Sequence, residues 1–336
     1  MLRRNYVAAD VSELILTASA PVSTSLSDEN SAAQTESNAD PQFIQKELSL
    51  VEADPLDALT INVPLPKNTY FEDISFENHY PEHTLAIRIN FANPAFFNNC
   101  EVTASTGLMH SCLYRYDEIS KSVTLLLTTN KMYEFTPRFS SDLSASPYVS
   151  IICHSLQTLY DNIIVIDPVP NTSQDATDAS LQLARAIQTQ AQKADNGTRI
   201  ILTRTDQRVL NSETILQLVR DSSASKYISL ILPEGAVNLR ASAYFNDRFF
   251  IRDYGNLQLA TDVEQALSAL DGITLTGIYA SNTSDDTTVS ATSETQVLTN
   301  LKIPGAMLRI DGLRTASRED LMLIDQTAAA LLNAIQ

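Results

Sequence analysis

The feature that most constrains this chain is a run of four β-branched apolar residues, 163–166, followed directly by Asp167 and Pro168. Such a run predicts a strand that is buried on both faces, and the Asp-Pro pair predicts that the strand ends in a turn. In an open α/β sheet, ligands and catalytic groups collect at the carboxyl ends of the strands. The run therefore predicts a functional edge after Pro168 or, as the simpler alternative, a core strand that leads into a helix.

Downstream of this strand, helical and strand patterns alternate along the chain. Apolar spacing predicts helices at residues 180–193, 214–222, 256–270 and 319–335. Short apolar runs predict further strands at residues 198–203, 227–232, 273–279 and 306–310. Strands that alternate with helices of this length predict a twisted sheet covered by helices on both faces. We therefore assign residues 158–336 to an α/β domain.

The residues before position 158 have a different pattern of apolar and polar residues. Between positions 55 and 157, short β-forming runs are separated by turn signals, and they lie at residues 59–65, 84–91, 122–128 and 148–153. This spacing predicts a small all-β sandwich. Residues 1–54 are poor in aromatic side chains and rich in Ser, Ala, Asp and Glu, which predicts a disordered acidic tail. Short helices at residues 11–18 and near 43–51 are the alternative within this tail.

The charge balance limits the classes of partner. The chain has 23 Lys and Arg residues against 40 Asp and Glu residues, a net charge of −17 at pH 7. Without an excess of positive charge, the chain cannot bind a phosphate backbone by counterion release, which argues against nucleic acid. The sequence contains no GxGxxG or P-loop pattern and no apolar run of the roughly 18 residues that a membrane span needs. The first residues lack the apolar segment of a signal peptide, so we expect any export or anchoring segment to lie outside this chain.

The cysteines allow two interpretations. Because Cys100, Cys112 and Cys153 are three in number, at least one thiol has no partner within the chain. Cys100 and Cys112 would close a hairpin in an oxidising compartment. We favour the alternative of three scattered, buried thiols.

The histidines do not form a convincing metal site. All four lie at or before position 154, upstream of the predicted α/β domain. His79 and His83 are four residues apart, which is the spacing of two metal ligands on one face of a helix. Pro81 lies between them and disfavours a helix, so we interpret this segment as a solvated loop.

The ordered elements after residue 161 resemble the zinc-dependent N-acetylmuramoyl-L-alanine amidases of the family-3 type, which trim bacterial peptidoglycan. The motifs that carry the resemblance are the Asp-Pro turn at 167–168, the Leu-Thr-Arg-Thr-Asp segment at 202–206, and their spacing to Ser229 and Pro304. The preceding β region resembles, more loosely, the AMIN-type sandwich that often precedes these amidases. The resemblance implies an amidase-like α/β fold and a zinc ion held by two histidines and a glutamate. A second glutamate would act on the zinc-bound water.

The chain departs from this pattern at each position that would hold or assist the zinc. Pro170 stands where the first histidine would be, and Ala176 falls at the glutamate that starts the next helix. Ile231 falls at the second histidine, and the catalytic glutamate corresponds to Arg309 or Ile310. Proline and isoleucine side chains have no lone pair for zinc, and the charge of Arg309 would repel the ion. We therefore predict an amidase-like domain without zinc and without catalytic residues of the family type.

These substitutions predict a pseudoenzyme that acts as a binding, scaffolding or regulatory partner in peptidoglycan remodelling. We expect it outside the cytoplasm, at the bacterial cell envelope, with a cell-wall hydrolase or another envelope protein as partner and peptidoglycan as the second candidate ligand. Four aromatic and basic residues are predicted as a possible binding surface, because interface centres are enriched in such side chains: Tyr244, Phe249, Phe250 and Arg252. A loop folded onto the core is equally consistent with that cluster.

Two other functions remain open at the level of the sequence. One is an active cell-wall hydrolase with a non-standard site, in which the upstream histidines supply the metal ligands. The other is a structural envelope protein that associates with itself through its β domain.

Overall fold

The structure is a computed structural model that describes residues 44–54, 58–140, 147–170, 178–233, 236, 238–247, 254–281 and 293–336. The predicted acidic tail, as far as residue 43, lies outside the described residues. The described residues form an all-β half followed by an α/β half, which confirms the predicted fold class.

The all-β half is a sandwich of two five-stranded sheets. Its elements are β1 (Ile44–Glu47), β2 (Ser49–Ala53), β3 (Thr60–Pro64), β4 (Ile74–His79), β5 (Thr84–Asn90), α1 (Pro94–Phe97), β6 (Glu101–Ser105), β7 (Met109–Asp117), β8 (Ser122–Thr129), β9 (Glu134–Ser140) and β10 (Tyr148–His154). The strand orders are β1-β7-β8-β5-β4 and β2-β6-β3-β10-β9. Alternating apolar side chains from both sheets fill a common core, as expected for strands with one buried face.

The predicted boundary of the tail at residue 54 is wrong, and so is the short helix near 43–51. Residues 44–53 form β1, antiparallel to β7, and β2, parallel to β6. The chain crosses from one sheet to the other at Leu48, whose side chain is buried in the core, and Leu50 packs against the same core. β1 and β2 have only four and five residues. Segments this short show too little alternation of apolar and polar residues to be predicted as strands beside a polar tail.

The α/β half contains one six-stranded sheet. Its elements are α2 (Leu156–Leu159), β11 (Asn162–Pro168), α3 (Ala179–Ala194), β12 (Thr198–Leu202), α4 (Ser212–Asp221), β13 (Lys226–Ile231), β14 (Arg240–Phe245), α5 (Asn256–Ala266), β15 (Thr274–Ala280), α6 (Ser293–Asn300), β16 (Gly305–Asp311) and α7 (Arg318–Ile335). The strand order is β12-β11-β13-β16-β14-β15. Strands β12, β11, β13 and β16 are mutually parallel, and β14 is antiparallel to β16.

Helices cover both faces of this sheet, as predicted. On one face α3, α5 and α7 pack on Ile164 and Ile166 of β11, and on the other face α4 and α6 share a core with Ile163 and Val165. The side chains of β11 are therefore buried on both sides, which explains its unbroken apolar run. Among the described residues, no helix is both long and apolar enough to cross a membrane.

Strand β14 corrects the prediction that Tyr244 belongs to a loop region. It lies between β16 and β15 inside the sheet. Its inner residues include Ala241 and Ala243, which are fully buried under α5. Small residues let α5 approach β14 closely. They are not β-branched, however, so the sequence pattern does not predict a strand here.

The two halves meet at a buried cluster of Tyr80, Glu134 and Arg199. Tyr80 lies in a single turn of 3-10 helix after β4, Glu134 begins β9, and Arg199 belongs to β12, which is an edge strand of the α/β sheet. Arg199 donates from Nε to the Tyr80 hydroxyl at 2.9 Å and from Nη2 to Glu134 Oε1 at 3.1 Å. The Tyr80 hydroxyl in turn donates to Glu134 Oε2. The all-β half thus protects one edge of the α/β sheet.

Aromatic rings enclose the Arg199 guanidinium. Its central carbon lies 5.5 Å from the centroid of the Tyr80 ring and 5.5 Å from that of Tyr160, within the range of cation–π attraction. Burial raises the pKa of the Tyr80 hydroxyl well above its ordinary value, although the Arg199 charge acts in the opposite direction. The hydroxyl therefore stays protonated near neutral pH and remains a donor to Glu134.

Replacing Arg199 by alanine is expected to lower the free energy of unfolding by about 3–5 kcal/mol, because Glu134 would remain buried without its cation. Denaturant unfolding followed by circular dichroism measures this change. Arg220→Ala is the matched control, since the Arg220 side chain is exposed on α4 and donates to Gln217 Oε1 at 2.8 Å; a change of about 0.5 kcal/mol or less is expected. Equal effects of the two substitutions would contradict a stabilising role for the cluster.

Candidate functional site

The parallel strands β11, β12, β13 and β16 end at the same side of the sheet, which we call the carboxyl edge. On the face covered by α4 and α6, the side chains of these strands are apolar in the middle of the sheet and become polar towards this edge. Among the described residues, these four parallel strands and the residue after β12 place Asp167, Thr203, Ser229, Arg309 and Asp311 at the carboxyl edge on this face, and β14 adds Arg240 and Ser242 beside Asp311 and Arg309. The sequence analysis placed the candidate functional edge here.

Asp167 is the buried centre of a hydrogen-bond network at this edge. Its Oδ1 accepts from the Thr203 hydroxyl at 2.5 Å, and its Oδ2 accepts from the Tyr227 hydroxyl at 3.0 Å. The network ties β11 to the end of β12 and to β13, so the carboxylate holds neighbouring strands together. Tyr227 was not among the residues predicted for a site, because in the sequence it is a lone aromatic residue near the start of an aliphatic strand.

A buried ion pair fixes the turn after β11 on the opposite face. Arg204 Nη2 lies 2.6 Å from Asp178 Oδ2, and both side chains are almost fully enclosed. Arg204 also donates from Nε to the Pro168 carbonyl and from Nη1 to the Asp206 carbonyl, each at 2.6 Å. Asp178 Oδ1 accepts from the Leu181 N–H at 3.0 Å and so caps α3. The two described ends of the segment between β11 and α3 are therefore held to Arg204, two residues after the end of β12.

Ser229 has a different environment. It lies beside Asp167 on β11 and Met307 on β16 in the sheet register, and it is fully buried. Its hydroxyl has no hydrogen-bond partner among the described residues. A buried hydroxyl without a partner is uncommon, because the desolvation of the group is not compensated.

The structure brings to the carboxyl edge three of the four positions where the resemblance implies zinc-site residues. Ile231 is the last residue of β13 and is the direct neighbour of Arg309 on β16. Pro170 follows the end of β11 at the same edge and is half-buried. Arg309 Nε lies 3.0 Å from Asp311 Oδ1, so its charge is balanced within its own strand. Ala176 lies outside the described residues.

The side chains at these positions do not fit a zinc ion. Zinc in proteins takes imidazole, thiolate or carboxylate ligands, and a catalytic site needs three of them around an open position. Pro170 and Ile231 offer no ligand atom, and Arg309 adds a positive charge. Within the ranges that the structure describes, no group of three or more His, Cys, Asp and Glu side chains is arranged to hold a metal.

The histidines lie away from the carboxyl edge. His83 Nε2 is 3.3 Å from Asp221 Oδ2 at the last residue of α4, and His154 ends β10 shortly before the chain enters β11. Since α4 ends and β11 begins at the amino edge of the sheet, both histidines lie near the end opposite to the candidate site. His79 and His110 belong to β4 and β7 of the sandwich. This arrangement does not favour a metal site shared across the two halves.

The predicted binding surface is described only in part. Tyr244 is buried, with 5% of its surface exposed, and its ring lies 5.6 Å from that of Tyr279. It is a core residue of the sheet and does not contribute to an exposed surface. Phe249, Phe250 and Arg252 lie outside the described residues, so the remainder of this surface stays a prediction.

The loop that carries those three residues starts and ends at the amino edge. Because β14 is antiparallel to β16, its last residue, Phe245, pairs with Ala306 near the beginning of β16. At the other end of the loop, the Tyr254 ring lies 5.2 Å from Nζ of Lys226, the first residue of β13. Both described ends of the loop are therefore on the opposite side of the sheet from Ile231.

Comparisons with known proteins give structural similarities alone. No protein-family model matches the chain, and no curated protein sequence matches it. The structure is similar to N-acetylmuramoyl-L-alanine amidase AmiC2 of Nostoc punctiforme, with 17% identity over 52% of this chain and 94% of that chain and a TM-score of 0.39. It is also similar to the N-acetylmuramoyl-L-alanine amidase from Clostridium difficile 630, with 16% identity over 52% of this chain and 94% of that chain and a TM-score of 0.41.

A third solved structure with similarity is the catalytic domain of CwlV, the N-acetylmuramoyl-L-alanine amidase from Bacillus (Paenibacillus) polymyxa var. colistinus. The identity is 15% over 52% of this chain and 96% of that chain, with a TM-score of 0.39. At these identities and TM-scores, the similarities assign neither a family nor an activity to this chain.

Replacing Tyr227 by phenylalanine is expected to lower the free energy of unfolding by about 1–3 kcal/mol, because the buried Asp167 carboxylate loses a hydrogen-bond donor. Tyr279→Phe is the matched control: its hydroxyl donates to the Thr276 carbonyl, and 42% of the Tyr279 surface is exposed. The control is expected to change stability by about 0.5 kcal/mol or less. Denaturant unfolding of both variants measures the difference, and a Tyr227→Phe effect no larger than the control would show that Asp167 does not depend on this bond.

Proposed function

We propose that this chain is a catalytically inactive, amidase-like protein of the bacterial cell envelope, and that it binds another envelope protein in peptidoglycan remodelling. The partner of first choice is a cell-wall hydrolase. The fold and the ordered sequence motifs suggest the amidase-like ancestry, and the composition of the carboxyl edge suggests the loss of catalysis.

The observation that carries the proposal is the pairing of Ile231 with Arg309 at the carboxyl edge. The family resemblance implies a histidine at Ile231 and a catalytic glutamate at Arg309 or at the next residue, Ile310. Zinc-dependent hydrolysis needs neutral imidazole and carboxylate ligands, an open coordination position and a general base beside the bound water. An aliphatic side chain next to a guanidinium supplies none of these groups.

The charge balance at the edge supports the same conclusion. Arg309 is paired with Asp311 at 3.0 Å, and Asp167 accepts hydrogen bonds from Thr203 and Tyr227. These carboxylates are stabilised by groups of the protein itself. The edge is therefore stable without a cation, unlike a cluster of metal ligands, in which neighbouring carboxylates repel each other when the ion is absent.

Surface composition favours a protein partner over a glycan for the α/β half. Sugar-binding sites use aromatic platforms with adjacent polar groups. The large apolar side chains that are exposed in the described residues of this half are Leu159, Val209, Leu257, Tyr279, Leu321 and Met322. Tyr279 is the single aromatic residue among them, so the described surface resembles an aliphatic contact surface more than a sugar platform.

The proposal is tested by incubating the purified full chain with isolated bacterial sacculi and added zinc chloride. We expect no release of stem peptides above the buffer control, whereas an authentic zinc amidase releases them under the same conditions. In parallel, the immobilised chain is exposed to purified cell-wall hydrolases, and we expect binding that persists in the presence of EDTA because the interaction needs no metal.

Two results would contradict this proposal. Release of stem peptides that EDTA abolishes would show an active zinc hydrolase. Retention of the chain on sacculi, without binding to any of the hydrolases, would show that its ligand is peptidoglycan and not a protein.

A further inference from the structure

The chain crosses between the two sheets of the sandwich at a corner that lies beside both Cys100 and Cys112. At this corner the Leu48 N–H donates to the Cys112 carbonyl at 2.9 Å. The next residue, Ser49, pairs with Glu101 in the opposite sheet. Cys100 is the residue before Glu101. The adjacent residues Leu48 and Ser49 therefore contact the backbone at Cys112 and the backbone beside Cys100, respectively.

A second set of contacts joins the same two segments from the other side. The Tyr114 hydroxyl donates to Asn98 Oδ1 at 3.1 Å, and the rings of Phe97 and Tyr114 lie 6.1 Å apart. Cys112 precedes Tyr114 by two residues on β7, so the two side chains point to the same face of the strand. Cys100 follows Asn98 by two residues. The segment 97–101 and the segment 112–114 are therefore packed against each other across the sandwich.

The two thiols share one buried environment. Cys100 is 6% exposed and Cys112 is 1% exposed, and both belong to the core between the sheets as free thiols. Burial raises the pKa of Cys100 to about 11 and that of Cys112 to about 12, and the charge of the Cys100 thiolate adds to the shift of Cys112.

Cys153 is not part of this arrangement. It lies on β10, which is separated from β6 by β3 in the sheet order, and it pairs with Phe135 on β9. Burial alone raises its pKa, to about 12. Cys153 therefore serves as an internal control for the other two thiols.

We propose that Cys100 and Cys112 form an intramolecular disulfide when the chain folds in an oxidising compartment. The bond would join the two sheets of the sandwich across their shared core. This site is independent of the proposed function, because it lies in the all-β half and needs neither zinc nor a partner protein.

The oxidant is a disulfide compound, either a small molecule or a thiol-oxidising protein. Before the core closes, both thiols are exposed, and the thiolate of either cysteine can attack the oxidant. When Cys100 attacks first, one sulfur of the oxidant leaves as a thiolate and the other stays on Cys100 as a mixed disulfide. The Cys112 thiolate then attacks the Cys100 sulfur and releases the second sulfur as a thiolate. Two electrons pass to the oxidant, and the two protons from the cysteines end on its two thiols.

Burial makes this reaction slow in the folded, reduced protein, because the thiolate fraction is small and the sulfurs are enclosed. The bond therefore forms before the sandwich core has closed. Once formed, it restricts the unfolded chain and adds stability to the sandwich.

The test is a thiol count on the full chain after refolding from guanidinium chloride with reduced and oxidised glutathione. Free thiols are blocked with a maleimide in denaturant, and mass spectrometry of the intact chain and of its peptides counts and locates the blocked cysteines. We expect one blocked thiol, on Cys153, a loss of two hydrogen atoms from the chain mass, and a peptide that links Cys100 to Cys112. We also expect the oxidised chain to unfold at a higher guanidinium concentration than the same chain after reduction.

Control variants separate this bond from other oxidation products. Cys153→Ser should leave no blocked thiol, and Cys112→Ser should leave two. Three blocked thiols in the original chain, a disulfide that includes Cys153, or stable glutathione adducts in place of the link would overturn the proposal. Because the count on the original chain requires no substitution, it remains decisive even if a cysteine variant does not fold.

Discussion

The α/β half depends on the burial of β11 on both faces. Ile164 and Ile166 pack under the helices of one face, and Ile163 and Val165 belong to the core of the other. A strand with no solvated face must have neighbours on both sides, and β12 and β13 supply them in parallel register. Parallel pairing brings the carboxyl ends of these strands to one edge. The position of the candidate site is a consequence of this packing.

The same edge is held together by contacts that do not involve the positions where the family resemblance implies zinc ligands. The buried Asp167 joins three strands through Thr203 and Tyr227, and the Arg204–Asp178 ion pair anchors the turn that follows. These contacts fix the geometry of the edge. The positions Pro170, Ile231 and Arg309 are separate from this framework, so the inactivity that we propose is compatible with an intact framework.

Much of the α/β half could be predicted from the sequence because its elements are long and strongly patterned. The helix predicted at residues 180–193 is observed at Ala179–Ala194, and the closing helix is observed at Arg318–Ile335. Strand β14 was missed because its inner residues are alanine and serine, which give no β signal. The pairing of Ile231 with Arg309 is a finding of the structure, because it depends on the register between β13 and β16. The partners of Asp167 and Arg199 could not be predicted, because they depend on the register of several strands and on how the two halves pack.

The central claim is that the carboxyl edge has lost the ability to hold zinc, and the zinc content of the protein tests it most directly. The measurement is elemental analysis of the purified chain, prepared without an affinity tag and dialysed against buffer that contains zinc and then against buffer without it. The account predicts a ratio close to zero zinc ions per chain, because Pro170, Ile231 and Arg309 supply no ligand. A ratio close to one zinc ion per chain would contradict the account.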